Sequence, residues 1–285
     1  MKKIVIASIL ALALVLSLVG IASAITNGQP DGDDHPYVGL LIFDVEPGNP
    51  DCPEGGPCWR CSGSLIAPNV VLTAGHCTED AVAARVWFDE MLQDPETGEF
   101  IVPDYPGGGT VAIEGTPYLN PKYRSDENPY GGGNGLPAFS YRDVGIVVLD
   151  EEVDVGGFAE LPEAGVVDTL KNKTDLDNVG YGVQEMIHFV GPPFWTGLRV
   201  RLYAPSQFVS GKFVHSAEYI RVSLNASQGK GGTCFGDSGG PNLLGGTDTV
   251  LAVNSYVTNY NCAGVGYSSR VDIPEVLEWI EGFLE

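Results

Sequence analysis

Thr233-Cys234-Phe235-Gly236-Asp237-Ser238-Gly239-Gly240-Pro241 sets a serine between an aspartate and two glycines, near the end of a 285-residue chain. Glycine lacks a Cβ, so the backbone here can turn tightly and come close to a bound molecule. In such a turn the amides of Gly236 and Ser238 point at one spot, where a developing oxyanion is stabilised. Taken alone the run is also an ordinary glycine loop, since turns favour these residues whatever their purpose.

Two upstream segments change its meaning. Leu72-Thr73-Ala74-Gly75-His76-Cys77 follows Cys61-Ser62-Gly63-Ser64-Leu65-Ile66, and Arg142-Asp143-Val144-Gly145 opens the apolar run Ile146-Val147-Val148-Leu149. A serine hydroxyl is a weak nucleophile until a base takes its proton. A neutral histidine serves, provided a carboxylate holds the right tautomer and steadies the imidazolium that forms. The chain supplies one such residue of each kind, in the order His, Asp, Ser. Each has a plainer use: histidines before cysteines are often structural, and an aspartate opening a strand is often a turn residue.

With these motifs in that order, the chain from about Ile25 to its end resembles the chymotrypsin/trypsin-like serine peptidases. The resemblance implies Ser238 as nucleophile, His76 as general base and then acid, and Asp143 as the orienting carboxylate. Gly236 and Ser238 would form the oxyanion hole. It implies an all-β fold, two antiparallel six-stranded β-barrels with a C-terminal α-helix, and a site in the cleft between them. Leu161-Pro162 and Gly180-Tyr181-Gly182 resemble the entry to the second barrel, with tyrosine where tryptophan is usual. The expected units are a signal peptide at 1–24, a first barrel at 25–158, and a second barrel with the helix at 159–285. A non-catalytic binding module on the same fold is the alternative, although such relatives commonly lose a triad member and this chain has all three.

The N-terminus carries a separate signal. Met1-Lys2-Lys3 is basic, residues 4 to 19 are almost wholly apolar, and Ala22-Ser23-Ala24 is a small-residue cleavage site. The apolar stretch is nearly long enough to span a bilayer, so an uncleaved anchor is the competing reading. Ile25-Thr26-Asn27-Gly28 resembles the mature N-terminus of the family, in which the new α-ammonium turns inward and pairs with the aspartate before the nucleophile, here Asp237. An anchor left in place would strand that carboxylate without a charge partner, at a cost of about 3–5 kcal/mol. Cleavage is expected, with no propeptide between leader and enzyme.

Six cysteines in an exported chain imply a disulfide framework, though counting alone leaves the connectivity open. By resemblance, Cys61 pairs with Cys77 and Cys234 with Cys262, which leaves Cys52 and Cys58 for each other. Cys58 and Cys61 also read as Cys-x-x-Cys, but one such pair without a second does not make a zinc site, and no metal or other cofactor is expected. The formal charge of −22 becomes −24 once Lys2 and Lys3 leave, which excludes binding of nucleic acid through phosphates. Expected partners are protein or peptide substrates, with no nucleic acid, no membrane after leader removal, and a monomeric, secreted, extracellular enzyme.

Short β-type runs recur at residues 37–43, 69–73, 84–88, 145–149, 178–183, 198–203, 219–224 and 249–254. Residues 89–136, rich in Pro, Gly, Asp and Asn, read as surface loops around the cleft. At the C-terminus Asp272 and Glu275 fit a capping box, and Val276, Leu277, Ile280, Phe283 and Leu284 form one apolar stripe. For specificity, the resemblance puts the base of the primary pocket at uncharged Gly232. Thr233, Phe235, Ser255, Tyr256 and Val257 border the substrate, with Ser255 bonded to Asp143 and Gly264 or Gly266 on the opposite wall. An uncharged base narrowed by Val257 implies small or medium apolar residues on the acyl side of the cut.

N-terminal sequencing of the secreted protein should return Ile-Thr-Asn-Gly, beginning at Ile25. A mature chain that retains Ser23-Ala24, or begins further on, would contradict the inferred activation by leader removal.

Overall fold

The computed structural model describes residues 25, 26, 28–107, 111–123, 140–188, 191–225 and 229–284. The leader expected at 1–24 and the Gly131–Gly135 run lie outside them. Among the described residues no helix is long and apolar enough to cross a membrane.

The first half forms a closed six-stranded antiparallel barrel. Its strands are β2 (Val38–Val45), β3 (Gly56–Ala67), β4 (Val70–Thr73), β5 (Ala81–Trp87), β6 (Ile113–Leu119) and β7 (Gly145–Leu149), after a two-residue β1 (Gln29–Pro30). Closure runs β2-β3-β4-β7-β6-β5 and back to β2. Valine, leucine, isoleucine and phenylalanine dominate β2 and β4, where branched and aromatic side chains suit a pleated, buried surface. The stretch expected as surface loops thus contains a barrel strand, β6. Its Pro117 and Gly115, and the exposed Tyr118 and Leu119, mask the alternation that marks a half-buried strand.

The second half adds β8 (Asp175–Gly180), β9 (Glu185–Ile187), β10 (Phe194–Thr196), β11 (Leu202–Gln207), β12 (Tyr219–Leu224), β13 (Pro241–Leu244), β14 (Val250–Val257) and β15 (Gly264–Arg270). One antiparallel sheet runs β1-β11-β8-β13-β14-β15-β12, while β9 and β10 form a separate hairpin. An isolated bridge between Phe208, just after β11, and Val222 of β12 curls this sheet into a half-barrel without a closing strand ladder, unlike the closed first barrel. Because β1 pairs with β11, the chain begins on the second sheet and then crosses to the first. One apolar core unites the halves: Leu40, Leu41 and Phe43 belong to the same buried cluster as Val179, Tyr181 and Val253.

Two helices are short. α1 (Gly75–Thr78) is a single turn, and α2 (Pro274–Glu281) buries Val276, Leu277 and Ile280 against the core that holds the first barrel. Leu284, counted in the stripe from sequence, is exposed. The capping box does not form. Ile273 is the N-cap without a side-chain cap, because the Asp272 carboxylate is taken by the Val167 amide and by Arg270. A buried ion pair outbids a local turn contact for the same oxygens.

The crossing at the N-terminus is held by Arg201 and Asp31, both buried. Arg201 Nε donates to Asp31 Oδ2 at 2.8 Å, and its remaining nitrogens reach the carbonyls of Gly32 (2.8 Å) and Phe88 (2.9 Å). His35 Nδ1 lies 2.6 Å from the other Asp31 oxygen. Burial works against ionisation of Asp31, but His35 and Arg201 outweigh it and hold the carboxyl below the usual carboxylate range. Breaking such a pair from one side leaves a charge unpaired in the interior. Asp31→Ala should therefore lower the unfolding free energy by about 3–5 kcal/mol in denaturant titration. A loss under about 1 kcal/mol, the range of a surface pair, would show that the pair is not structural.

Candidate functional site

β4 and β7 pair antiparallel with Thr73 opposite Gly145, so their neighbouring ends launch α1 and the turn before β7 side by side. His76 stands on α1 and Asp143 in that turn. The Cys61–Cys77 disulfide ties α1 to β3. Gly145 must be glycine: a Cβ there would lie 2.7 Å from Thr78 Oγ1 and 2.8 Å from the Ala74 carbonyl oxygen.

The resulting contact is specific. His76 Nδ1 lies 2.9 Å from Asp143 Oδ2, and the His76 amide donates to Asp143 Oδ1 at 2.7 Å. Ser255 Oγ donates to the same carboxylate, which is only 1% exposed. Burial opposes ionisation of Asp143, but the His76 ring and the hydrogen bonds from His76 and Ser255 hold it below the usual carboxylate range. The carboxylate thus fixes Nδ1 as the protonated nitrogen and leaves Nε2 as the base. Arg142, just before it, adopts a left-handed φ of 52°, which a residue with a Cβ rarely holds. Its guanidinium pairs with Glu218 and, at 3.0 Å, with Glu275 of α2, so two partners from the second half restrain a turn of the first. Nothing in the local sequence announces those partners.

Ser238 sits in the loop between Gly232 and β13, clamped from both barrels. Its carbonyl accepts the Ser62 amide of β3 at 2.8 Å, and the next amide, Gly239, donates to Asn254 of β14 at 2.7 Å. Asn254 is held in turn by Asn242, whose side-chain nitrogen donates to it at 2.6 Å and to Ser268 at 2.8 Å. Gly236 has a φ of 97°, and a Cβ on it would meet the Arg60 guanidinium at 2.5 Å. Among the described residues, neither the Gly236 nor the Ser238 amide donates to a protein acceptor. Two backbone donors of the serine loop therefore remain available.

A cavity of about 140 Å³ adjoins Ser238, lined by Thr233, Cys234, Phe235, Asn254, Ser255, Tyr256 and Val257. Five of the six residues expected to border the substrate are here. The sixth, Gly232, is buried and not part of this lining. In the β14–β15 register Val257 is opposite Gly266, whereas Gly264 pairs with Leu224, and neither glycine is part of the cavity lining. The Cys234–Cys262 disulfide joins the serine loop to the segment before β15, and Cys52–Cys58 closes the turn before the core of β3. Cys61, His76 and Cys77 place their ligand atoms together, but both sulfurs are spent in the disulfide and the group does not suit a metal ion.

Beneath the serine loop lies Asp237, with no solvent exposure. Its oxygens accept the Gly182 amide at 2.7 Å and the Cys234 amide at 2.9 Å. A Cβ at Gly180 or Gly182 would collide with this carboxylate, which is the physical reason for Gly180-Tyr181-Gly182. Ile25 is buried as well, and Thr26 exchanges two backbone hydrogen bonds with Gly232, at 2.9 and 3.0 Å. Among the described residues no cation makes an ion pair with Asp237. Burial pushes its carboxyl up to about 7, against the pull of the two amides and of the nearby Arg60. Burial and Arg199 in turn push Arg60 down to about 10. Arg60, directly before Cys61, carries no motif and is the site neighbour that sequence reasoning missed.

Residues 54–280 match the family model described as Trypsin. Chymotrypsin-like elastase family member 3B of Macaca mulatta is 28% identical over 71% of this chain and 73% of its own. Trypsin theta of Drosophila melanogaster is 25% identical over 95% and 96%, respectively. Venom serine protease Bi-VSP of Bombus ignitus is 25% identical over 81% of this chain, which spans 60% of that protein's length. Among solved structures, HL collagenase superposes with a TM-score of 0.63 at 18% identity, covering 93% of this chain and 97% of its own. Human heparin binding protein follows at 0.56 and 16%, covering 91% and 96%.

The raised Asp237 carboxyl belongs to a chain in which the Ile25 nitrogen is an amide. In the unfolded chain the group titrates near 3.9. Between about pH 4 and pH 7 the folded form then binds a proton that the unfolded form has released, so stability falls as pH rises through that window. A chain extended before Ile25 should lose thermal stability from pH 4 to pH 7.5, and a chain starting at Ile25 should resist that loss. Parallel melting curves for the two forms across this range would contradict the role given to the Ile25 nitrogen.

Proposed function

The chain belongs to the trypsin family, and on that premise we propose that it is a secreted serine endopeptidase acting through an acyl-enzyme. The observation that carries this reading is the Asp143 carboxylate, which is buried and holds His76 Nδ1 at 2.9 Å. Such a histidine presents Nε2 as a base. Nε2 takes the proton from Ser238 Oγ as that oxygen attacks the scissile carbonyl, and the oxyanion is received by the Gly236 and Ser238 amides. His76 then passes its proton to the departing amine, and a water repeats the sequence to release the acyl group. Asp143 stays ionised throughout, as its depressed carboxyl allows.

The cavity beside Ser238 suits the side chain on the acyl side of the cut. It has no charged lining residue, and Val257 narrows one wall. Small or medium apolar side chains such as Ala and Val fit, whereas Lys or Arg would enter without a counter-charge. The buried Ile25 points to the activating step: removal of residues 1–24 frees an α-ammonium that pairs with Asp237 and sets the serine loop. Export agrees with three disulfides, which persist in oxidising compartments.

A fluorophosphonate probe should label the chain starting at Ile25 at Ser238, and labelling should vanish in Ser238→Ala. Turnover on peptide substrates should fall by about 10⁶ in Ser238→Ala or His76→Ala, and by about 10⁴ in Asp143→Asn. Near-native hydrolysis by Ser238→Ala would refute Ser238 as the nucleophile, whereas a folded wild-type chain that is neither labelled nor hydrolytic would favour a non-catalytic module.

A further inference from the structure

Gly232 precedes Thr233 and Gly266 pairs with Val257, two residues that line the cavity beside Ser238, yet neither glycine is itself in the lining, nor is Leu224 behind them. A single side chain accounts for both. Leu224, the last residue of β12, pairs with Gly264 on β15 and is 3% exposed. A Cβ on Gly232 would lie 2.8 Å from Leu224 Cβ and 3.0 Å from its Cγ, with Cδ2 nearer still. A Cβ on Gly266 would lie 3.2 and 3.4 Å from the two Leu224 methyls. The isobutyl group therefore fills the volume that side chains at positions 232 and 266 would otherwise take. Leu176, Val222 and Leu251 share its buried cluster, and Val257 packs against that cluster from the cavity side.

We propose that Leu224 is the floor of the acyl-side pocket and the residue that sets its depth. This rests on the reading of that pocket given above and extends it to a residue of β12, which lies three strands from β13 in the sheet order. The floor is apolar and occupied, so discrimination acts in two ways. A long side chain finds the volume behind the lining already filled by the Leu224 isobutyl group, and a cationic one also finds no counter-charge. The glycine at 232 then has a different meaning from a merely uncharged base. An acidic residue placed there could not project into the pocket while Leu224 stands in its path, because the clash begins at Cβ. Depth and charge selectivity are thus set together, from one position on β12.

The test is a peptide series differing only in the acyl-side residue, Ala, Val, Leu, Phe or Arg, cleaved by the chain starting at Ile25. Wild type should favour Ala and Val. Leu224→Val, which removes one methylene and keeps the core filled, should raise the Leu-to-Ala ratio of kcat/KM by about tenfold, and Leu224→Ala should raise it further and admit Phe. Gly232→Asp alone should not cleave after Arg, whereas Gly232→Asp/Leu224→Ala should. Folding of each variant is checked by its melting curve, and Leu224→Val decides the matter if Leu224→Ala does not fold. A folded Leu224→Val with the wild-type profile, or Arg cleavage by Gly232→Asp alone, overturns the assignment of Leu224 while leaving the small apolar pocket standing. A wild-type enzyme that cleaves best after Phe or Arg overturns the pocket reading and this inference together.

Discussion

Asp237 presents the hardest physical problem in this molecule, because an ionisable group without solvent contact must be satisfied by whatever the fold brings to it. Two amides, from Gly182 and Cys234, reach its oxygens, and its own carbonyl accepts the Gly240 amide at 3.0 Å. That crowding dictates composition around it. Glycine is required at 180 and 182, where any side chain would strike the carboxylate. It is equally required at 239, where a Cβ would lie 2.5 Å from the Ser62 carbonyl oxygen and 2.7 Å from the Ala74 nitrogen. The serine loop is consequently shaped by what it packs on, and its conformation depends on how the Asp237 charge is met.

The two halves of the proposed site solve different mechanical tasks. The His76–Asp143 contact needs two side chains held at fixed separation, and the β4–β7 register provides this with the Cys61–Cys77 bond and the Arg142 ion pairs as restraints. The Ser238 loop needs free amides, so its restraints fall on carbonyls and on flanking amides instead. The Ser62 amide binds the Ser238 carbonyl, the Ser62 hydroxyl donates to the Gly236 carbonyl at 3.0 Å, and Gly239 binds β14. Every one of these bonds leaves the Gly236 and Ser238 N–H groups unspent. Preorganised donors of this kind stabilise a developing charge without reorganising at the moment of reaction.

Much of this was readable from local chemistry. His76, Asp143 and Ser238 lie in short segments whose neighbours betray them: a small-residue turn before the histidine, an apolar strand after the aspartate, glycines around the serine. Eight strands were visible at least in part as apolar runs, although the run at 198–203 shares only its last two residues with β11. β6 was not, since Pro117 and Gly115 break its pattern, and β15 was not, since Gly264-Val265-Gly266-Tyr267-Ser268-Ser269 has too few apolar side chains to read as a strand. The capping box at Asp272 failed for the opposite reason, a sound local signal overridden by Arg270 and the Val167 amide from elsewhere in the chain.

The sequence by itself determined the family, the all-β architecture, the chemical type of each proposed site residue and the six cysteines available to brace them. These follow from residue type and short-range spacing, which folding does not alter. Only the tertiary structure decided that Val257 faces Gly266, that Leu224 lies against Gly232, that Arg60 packs on Gly236, and that Asp31 and Arg201 hold the crossing between the sheets. Each of those contacts joins residues far apart in the chain through strand register and packing. A one-residue change of register would turn every side chain of a strand to the other face, and no local pattern records which register the folded sheet adopts.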